Sequence, residues 1–167
     1  MIAIVAAAIL ALCSHVEETR AQAIAADIVA VAQEEPFFEG DAGTEATALL
    51  LVAIAKVESE FLERIEQCRC RKRECDNGRS IGLFQIMRGE PAMCGDRQKQ
   101  ARAALSVLQE GRRMCKDVPH TLGAYNSGRC RETRASRYVY ATWQRLLRKN
   151  GIVMRGDRAE WKARGET

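Results

Sequence analysis

Residues 45–61, EATALLLVAIAKVESEF, decide the fold class. Ala46, Leu50, Ala53, Ile54, Val57 and Phe61 recur at a period of about 3.6, which predicts a helix with one strong apolar stripe. Glu58 comes one residue after Val57, so it lies at the border of the buried face near the helix end. The same periodicity returns on either side. Arg20 to Gln33 places Ile24, Ile28, Val31 and Ala32 at helical intervals before Pro36 stops the pattern. Ala101, Ala104, Leu105 and Leu108 mark another helix, Thr121 to Tyr125 starts a further one ended at Asn126 to Gly128, and Val139, Trp143, Leu146 and Leu147 line a last one that Gly151 closes. Between them, Phe37 to Thr44 reads as a loop, Cys68 to Gly78 as a crosslinked loop or small hairpin, and Ile81 to Met87 as a short apolar piece. The fold class is mainly α, with a small irregular or hairpin lobe.

Composition agrees. The 167 residues, 47% of them hydrophobic, suit one compact domain and exclude a multidomain enzyme. Nine aromatic residues and three prolines favour helices over a sandwich or barrel. A mean hydropathy of -0.27 excludes a polytopic membrane protein. The net charge of +4 conceals an asymmetry: residues 1–60 hold ten acids and two bases, net -8, and the remaining 107 hold twelve acids and twenty-four bases, net +12. A basic second part attracts polyanions, and charge alone does not choose among nucleic acid, anionic lipid and cell wall. The CRCRKREC stretch at 68–75 is the densest basic run, but no aromatic alternates with its bases as a nucleic-acid stacking platform requires, so no nucleic acid is expected. There is no glycine-rich phosphate loop, neither histidine has a partner at metal-ligand spacing, and neither metal nor cofactor is expected.

The organisation divides into an apolar N-terminal segment (1–19), a main domain (20–150) and a polar C-terminal tail (151–167), whose end from Arg155 onwards reads as frayed. Ile2 to Leu12 is an uninterrupted apolar run, too short to span a bilayer as a helix but of the length of a secretory h-region. No Lys or Arg precedes it, and the run reads as a signal peptide or crude anchor, with a buried N-terminal helix as the alternative.

Four pieces carry more specific information: AKVESEF at 55–61, SIGLFQI at 80–86, AYNSG at 124–128 and ETRASRYV at 132–139. In this order they resemble the lysozyme-like catalytic domain of lytic transglycosylases of the soluble-lytic-transglycosylase (SLT) type. The resemblance covers about residues 45 to 150. Phe84 stands where the family often has Met, and ETRASRYV carries two residues more between Arg134 and Tyr138 than the commonest spacing. The resemblance implies a lysozyme-like fold with a glycan cleft, peptidoglycan strands as the partner, a place in a cell-envelope, secretion or phage assembly, and cleavage of the MurNAc-GlcNAc β-1,4 bond to leave 1,6-anhydro-MurNAc ends.

The chemistry can be argued beside it. Breaking a glycosidic bond near neutral pH needs a carboxylic acid that an apolar site keeps protonated. Glu58 is placed for that, with Val57, Phe61, Leu83 and Phe84 as the apolar wall. By resemblance Glu58 acts as acid and then base, Tyr138 orients it, and Ser80, Gln85 and Asn126 bind sugar amides or the reacting oxygen. Phe84 and Tyr125 complete the substrate-binding set, although Tyr125 also suits the core, and Gln85 and Asn126 could satisfy loop backbone instead. Gly82 and Gly128 suit close backbone approach or positive φ. Glu66, Glu74, Asp76 and Asp96 are the candidates if a second carboxylate exists, none singled out by its position, and a hydrolytic muramidase is one alternative outcome. A non-catalytic wall-binding module is the remaining alternative.

Seven cysteines are odd in number. Six of them, Cys68, Cys70, Cys75, Cys94, Cys115 and Cys130, lie in the catalytic region, and the seventh, Cys13, follows the apolar run. Six cysteines allow 15 pairings. Cys68 and Cys70 are too close to bridge each other comfortably, which sends one to Cys75 and the other to a distant cysteine. Three disulfides in an exported, periplasmic or extracellular protein are expected over zinc or free thiols.

Overall fold

The helix anticipated from residues 46–61 runs through the middle of the molecule. The computed structural model describes residues 1–71, 74–87 and 89–162; Lys72 and Arg73 of the basic stretch and residues 163–167 of the C-terminal tail lie outside the described residues. In that structure α3 (Gly43–Ser59) buries Leu49 to Ala55 at 1% exposure or less. The predicted single stripe has become a whole circumference, because Leu49, Leu51 and Val52 are apolar too and other helices surround them. α1 (Ile2–Leu12) and α2 (Glu18–Glu34) pack on each other and on α3. α5 (Arg97–Met114) packs on α2, α6 (Val118–Ser127) on α5 and α7 (Arg134–Lys149) on α6, and α7 returns to α3. Trp143 of α7 locks that return: its indole donates to the Ala46 carbonyl at 2.9 Å and stacks on Phe38, ring centroids 4.9 Å apart.

The N-terminal apolar run is an ordered helix in the core, with Val5 and Ile9 fully buried and Ala6 and Ala8 nearly so. Among the described residues no helix is long and apolar enough to cross a membrane. Cys13, just past that helix, is a buried free thiol.

The C-terminal segment differs from the frayed tail read from its polarity. β3 (Ile152–Arg155) and β4 (Arg158–Trp161) form an antiparallel hairpin with Ile152 opposite Trp161. It docks through backbone: Ala159 N–H donates to Glu39 at 2.8 Å, and Ala42 N–H donates to Ala159 at 3.1 Å. Ile152 and Ala159 are buried and Met154 packs partly buried against the core, while Val153 and Trp161 are exposed. Inward side chains this few, Ile152, Met154 and Ala159, made the pattern too sparse to read from sequence.

The irregular lobe lies between α4 (Glu63–Glu66) and α5. It contains two three-residue 3-10 turns, Asp76–Gly78 and Pro91–Met93, and a minimal hairpin of β1 (Ser80–Ile81) and β2 (Ile86–Met87). Three disulfides are present. Cys70–Cys75 closes the tip of the lobe, Cys68–Cys94 ties its two ends, and Cys115–Cys130 joins the end of α5 to the turn after α6. The division of Cys68 and Cys70 between a distant cysteine and Cys75 is the one expected from their spacing. Glu66 is fully buried beneath the lobe, accepting from Arg20 and, at 2.7 Å, from Arg97.

Candidate active site

α3 ends in the residues Lys56-Val57-Glu58-Ser59, and the way it ends sets the site. Ser59 Oγ donates to the Ala55 carbonyl at 2.9 Å and accepts from Phe61 N–H at 3.2 Å, and Glu60 and Phe61 then take positive φ of 52° and 57°. Two successive non-glycine residues in the left-handed region are costly, and such strain collects at functional sites. The turn is clasped from the N-terminal helices: Arg20 donates to the Phe61 carbonyl at 2.6 Å, and His15 Nε2 lies 2.9 Å from the Glu60 carbonyl oxygen.

Glu58 is half-buried at the mouth of a cleft of about 380 Å³. α6 supplies Tyr125 and Asn126 to that cleft, and the hairpin supplies Ser80, Gln85, Ile86 and Met87. Burial pushes the Glu58 carboxyl up to about 7, and the facing Asn126 carboxamide pulls weakly the other way. Thr133 Oγ1 donates to Asn126 Oδ1 at 3.0 Å and so holds that carboxamide. Tyr125 donates to the Phe84 carbonyl at 2.7 Å; burial, then the nearby Glu58 charge, raises its phenol well above the usual range.

The hairpin turn is held from behind. Gly82 has φ of 71°, and a Cβ there would lie 2.3 Å from the Gln100 side-chain amide carbon. The close approach lets Gln100 Oε1 accept from Leu83 N–H at 2.8 Å while Nε2 donates to the carbonyls of Glu66 and Met93 at 3.0 and 2.7 Å. Gly128, with φ of 68°, is the left-handed cap that ends α6 just after Asn126. Gln85 bends back at φ of 48°, its amide donating to the Gly82 carbonyl at 3.0 Å, so the backbone-satisfying role and a place in the cleft coexist.

Two sequence-stretch assignments take a different place. Phe84 is fully buried in the core with Phe61 and Leu83, and offers the cleft no side chain; what it contributes is the carbonyl that fixes Tyr125. Tyr138 is 55% exposed and lies outside the cleft, in a shallow apolar depression with Val57, Arg134 and Arg137. The longer ETRASRYV spacing accounts for it: Thr133 and Ser136 form a capping box at the start of α7, and Tyr138 then falls on the outward face. Tyr125, not Tyr138, is the tyrosine beside Glu58.

The four further carboxylates also separate. Glu66 is consumed by its two arginines, and Asp96 caps α5 by accepting from Lys99 N–H at 3.0 Å. Glu74 and Asp76, on either side of Cys75, line the cleft with Glu58. Arg64 grips the Glu74 carboxylate, and with the Arg71 N–H it holds that carboxyl down to about 2. Sequence reading missed Thr133, which caps α7, and Gln100 and the cleft-lining Val107, which lie on α5, where polar and apolar spacing carries no mark of the cleft. Among the described residues no group of three metal-ligating side chains converges.

A helical body and a disulfide-bound hairpin lobe with a polar cleft between them are the architecture of a lysozyme-like domain. The chain matches the family model described as "Transglycosylase SLT domain" over residues 14–147, and it belongs to that family. Neither the curated proteins nor the solved structures gave a match. The protein is therefore a lytic-transglycosylase-type enzyme acting on glycosidic bonds of peptidoglycan.

Proposed function

We propose that the protein cleaves the MurNAc-GlcNAc β-1,4 bond with Glu58 as sole acid and then base, leaving 1,6-anhydro-MurNAc ends in an exported compartment. The observation that carries this reading is the raised Glu58 carboxyl facing Asn126 in a polar cleft. A group near 7 is protonated often enough to give its proton to the leaving oxygen and is then a competent base. The substrate's N-acetyl carbonyl would attack the anomeric carbon, and Glu58 would next take the proton of the 6-hydroxyl, closing the anhydro ring. Ser80, Gln85 and Asn126 offer donors and acceptors for amide and hydroxyl groups. Tyr125 would brace the wall by which Glu58 stands. Three disulfides support export.

A hydrolytic outcome is the second reading, and the acids across the cleft favour it. Glu74 is held ionised by Arg64, which leaves Asp76 as the freer carboxylate to position a water. Mass spectrometry of muropeptides released from purified peptidoglycan separates the two. Products lighter by one water establish the transglycosylase, reducible muramic-acid ends establish the hydrolase, and a Glu58→Gln variant that still clears peptidoglycan overturns both.

A further inference from the structure

α7 carries a one-sided charge that the catalytic reading leaves unused. Arg134, Arg137, Arg145, Arg148 and Lys149 are all exposed, and at about 100° per residue they fall within roughly a third of the helix circumference. The helix Arg134–Lys149 contains no acid, and the segment 129–149 holds seven bases against the single acid Glu132. Among the described residues none of these five cations lies within ion-pair distance of a carboxylate, whereas Arg64, Arg97, Arg102 and Arg112 are all paired. A surface needed only for solubility mixes its signs; a stripe of one sign binds the other.

The position of the stripe names its partner. Its first turn, Arg134, Arg137 and Tyr138, shares a shallow depression with Val57, the residue before Glu58. From there the stripe runs along the helix for about 22 Å, at 1.5 Å per residue. We propose that it is a docking track for the carboxylates of the peptide stems that hang from the glycan strand being cleaved. The proposal rests on peptidoglycan being the substrate. Guanidinium groups pair with carboxylates in two-pronged geometry. The exposed face offers Tyr138 as its one large apolar side chain, with no Trp, Phe or Leu to enter an acyl layer, which argues against a membrane surface.

The test uses the full chain with Glu58→Gln, so that the strand stays intact, and sacculi freed of phosphate polymers. Their carboxylates are either left free or amidated with ethanolamine. Expected is retention on free-carboxylate sacculi that falls about tenfold on amidated ones, and about fivefold when Arg145→Gln, Arg148→Gln and Lys149→Gln are combined, both differences vanishing near 1 M salt. Equal retention on the two sacculi overturns the proposal, whatever the triple variant does. So does a triple variant that loses binding to phosphatidylglycerol vesicles but not to sacculi. A chain that cleaves no peptidoglycan yet discriminates the two sacculi would overturn the catalytic reading and leave the track standing.

Discussion

At the scale of single residues, Glu58, the proposed acid, carries a consequence for stability as well as for cleavage. Its carboxyl sits near 7 in the folded chain against 4.5 ordinarily, so the native state binds more protons than the unfolded one between those values. Stability is then highest below the lower value and falls as pH rises through the upper one. Glu58→Gln removes that loss: thermal unfolding should show the variant more stable than the parent at pH 8, by on the order of 1–3 kcal/mol, with the gap closing at pH 5. Cleavage by the parent enzyme should decline above about pH 7 as the acid form disappears, a fall that a turbidity assay across pH would follow. Gly82→Ala probes the wall opposite. The new Cβ meets the Gln100 amide, and freeing Gln100 breaks its bonds to Leu83 and Glu66. Activity should drop at least tenfold and stability by about 2 kcal/mol. Unaltered kinetics would show that the hairpin turn does not depend on Gln100.

At the scale of elements, the lobe is anchored to the core through Leu83 and Phe84 of its hairpin turn, while its tip and its two ends are held by crosslinks. Cys68–Cys94 closes 26 residues, for which chain entropy predicts about 3.5 kcal/mol. A Cys68→Ser, Cys94→Ser variant should unfold at lower urea by that amount, keep its far-ultraviolet helical signal in water, and lose affinity for the glycan before it loses its fold. The terminal hairpin is the other dependent element. Ending the chain at Asn150 removes Ile152 and Ala159 from the core beside Phe38 and Ala42, and should lower stability by roughly 2 kcal/mol.

At the scale of the molecule, α1 belongs to the core through one face, on which Val5, Ala6, Ala8 and Ile9 are buried. Deleting residues 1–13 would uncover the apolar surface that α1 covers on α2 and α3, and should give a chain that binds hydrophobic dyes and unfolds without a sharp transition. A sharp transition in the shortened chain would show that the catalytic body stands without it.

Much of this could be read from the chain, and the reason is local. Helical periodicity is written into neighbouring residues, so the helices around Leu50, Leu105 and Leu147 were legible, as was Glu58 at the edge of an apolar face followed by SIGLFQI and AYNSG. The short separation of Cys68 from Cys70 already divided their partners. What tertiary structure alone decided involved residues far apart in sequence. Whether Tyr125 or Tyr138 stands by Glu58 depends on how α7 is capped and rolled against α3. Whether Phe84 faces sugar or core depends on Gln100 pulling the hairpin turn inward. That Glu74 and Asp76 reach the cleft while Glu66 is taken by Arg20 and Arg97 depends on two helices and a disulfide meeting at one point. The sequence by itself marked the long helices, because their periodicity is written into neighbouring residues, and it singled out Glu58 as the candidate acid through motifs that follow it in order along the chain; the surroundings that raise its carboxyl and the wall it faces come from burial, which only the packed chain creates.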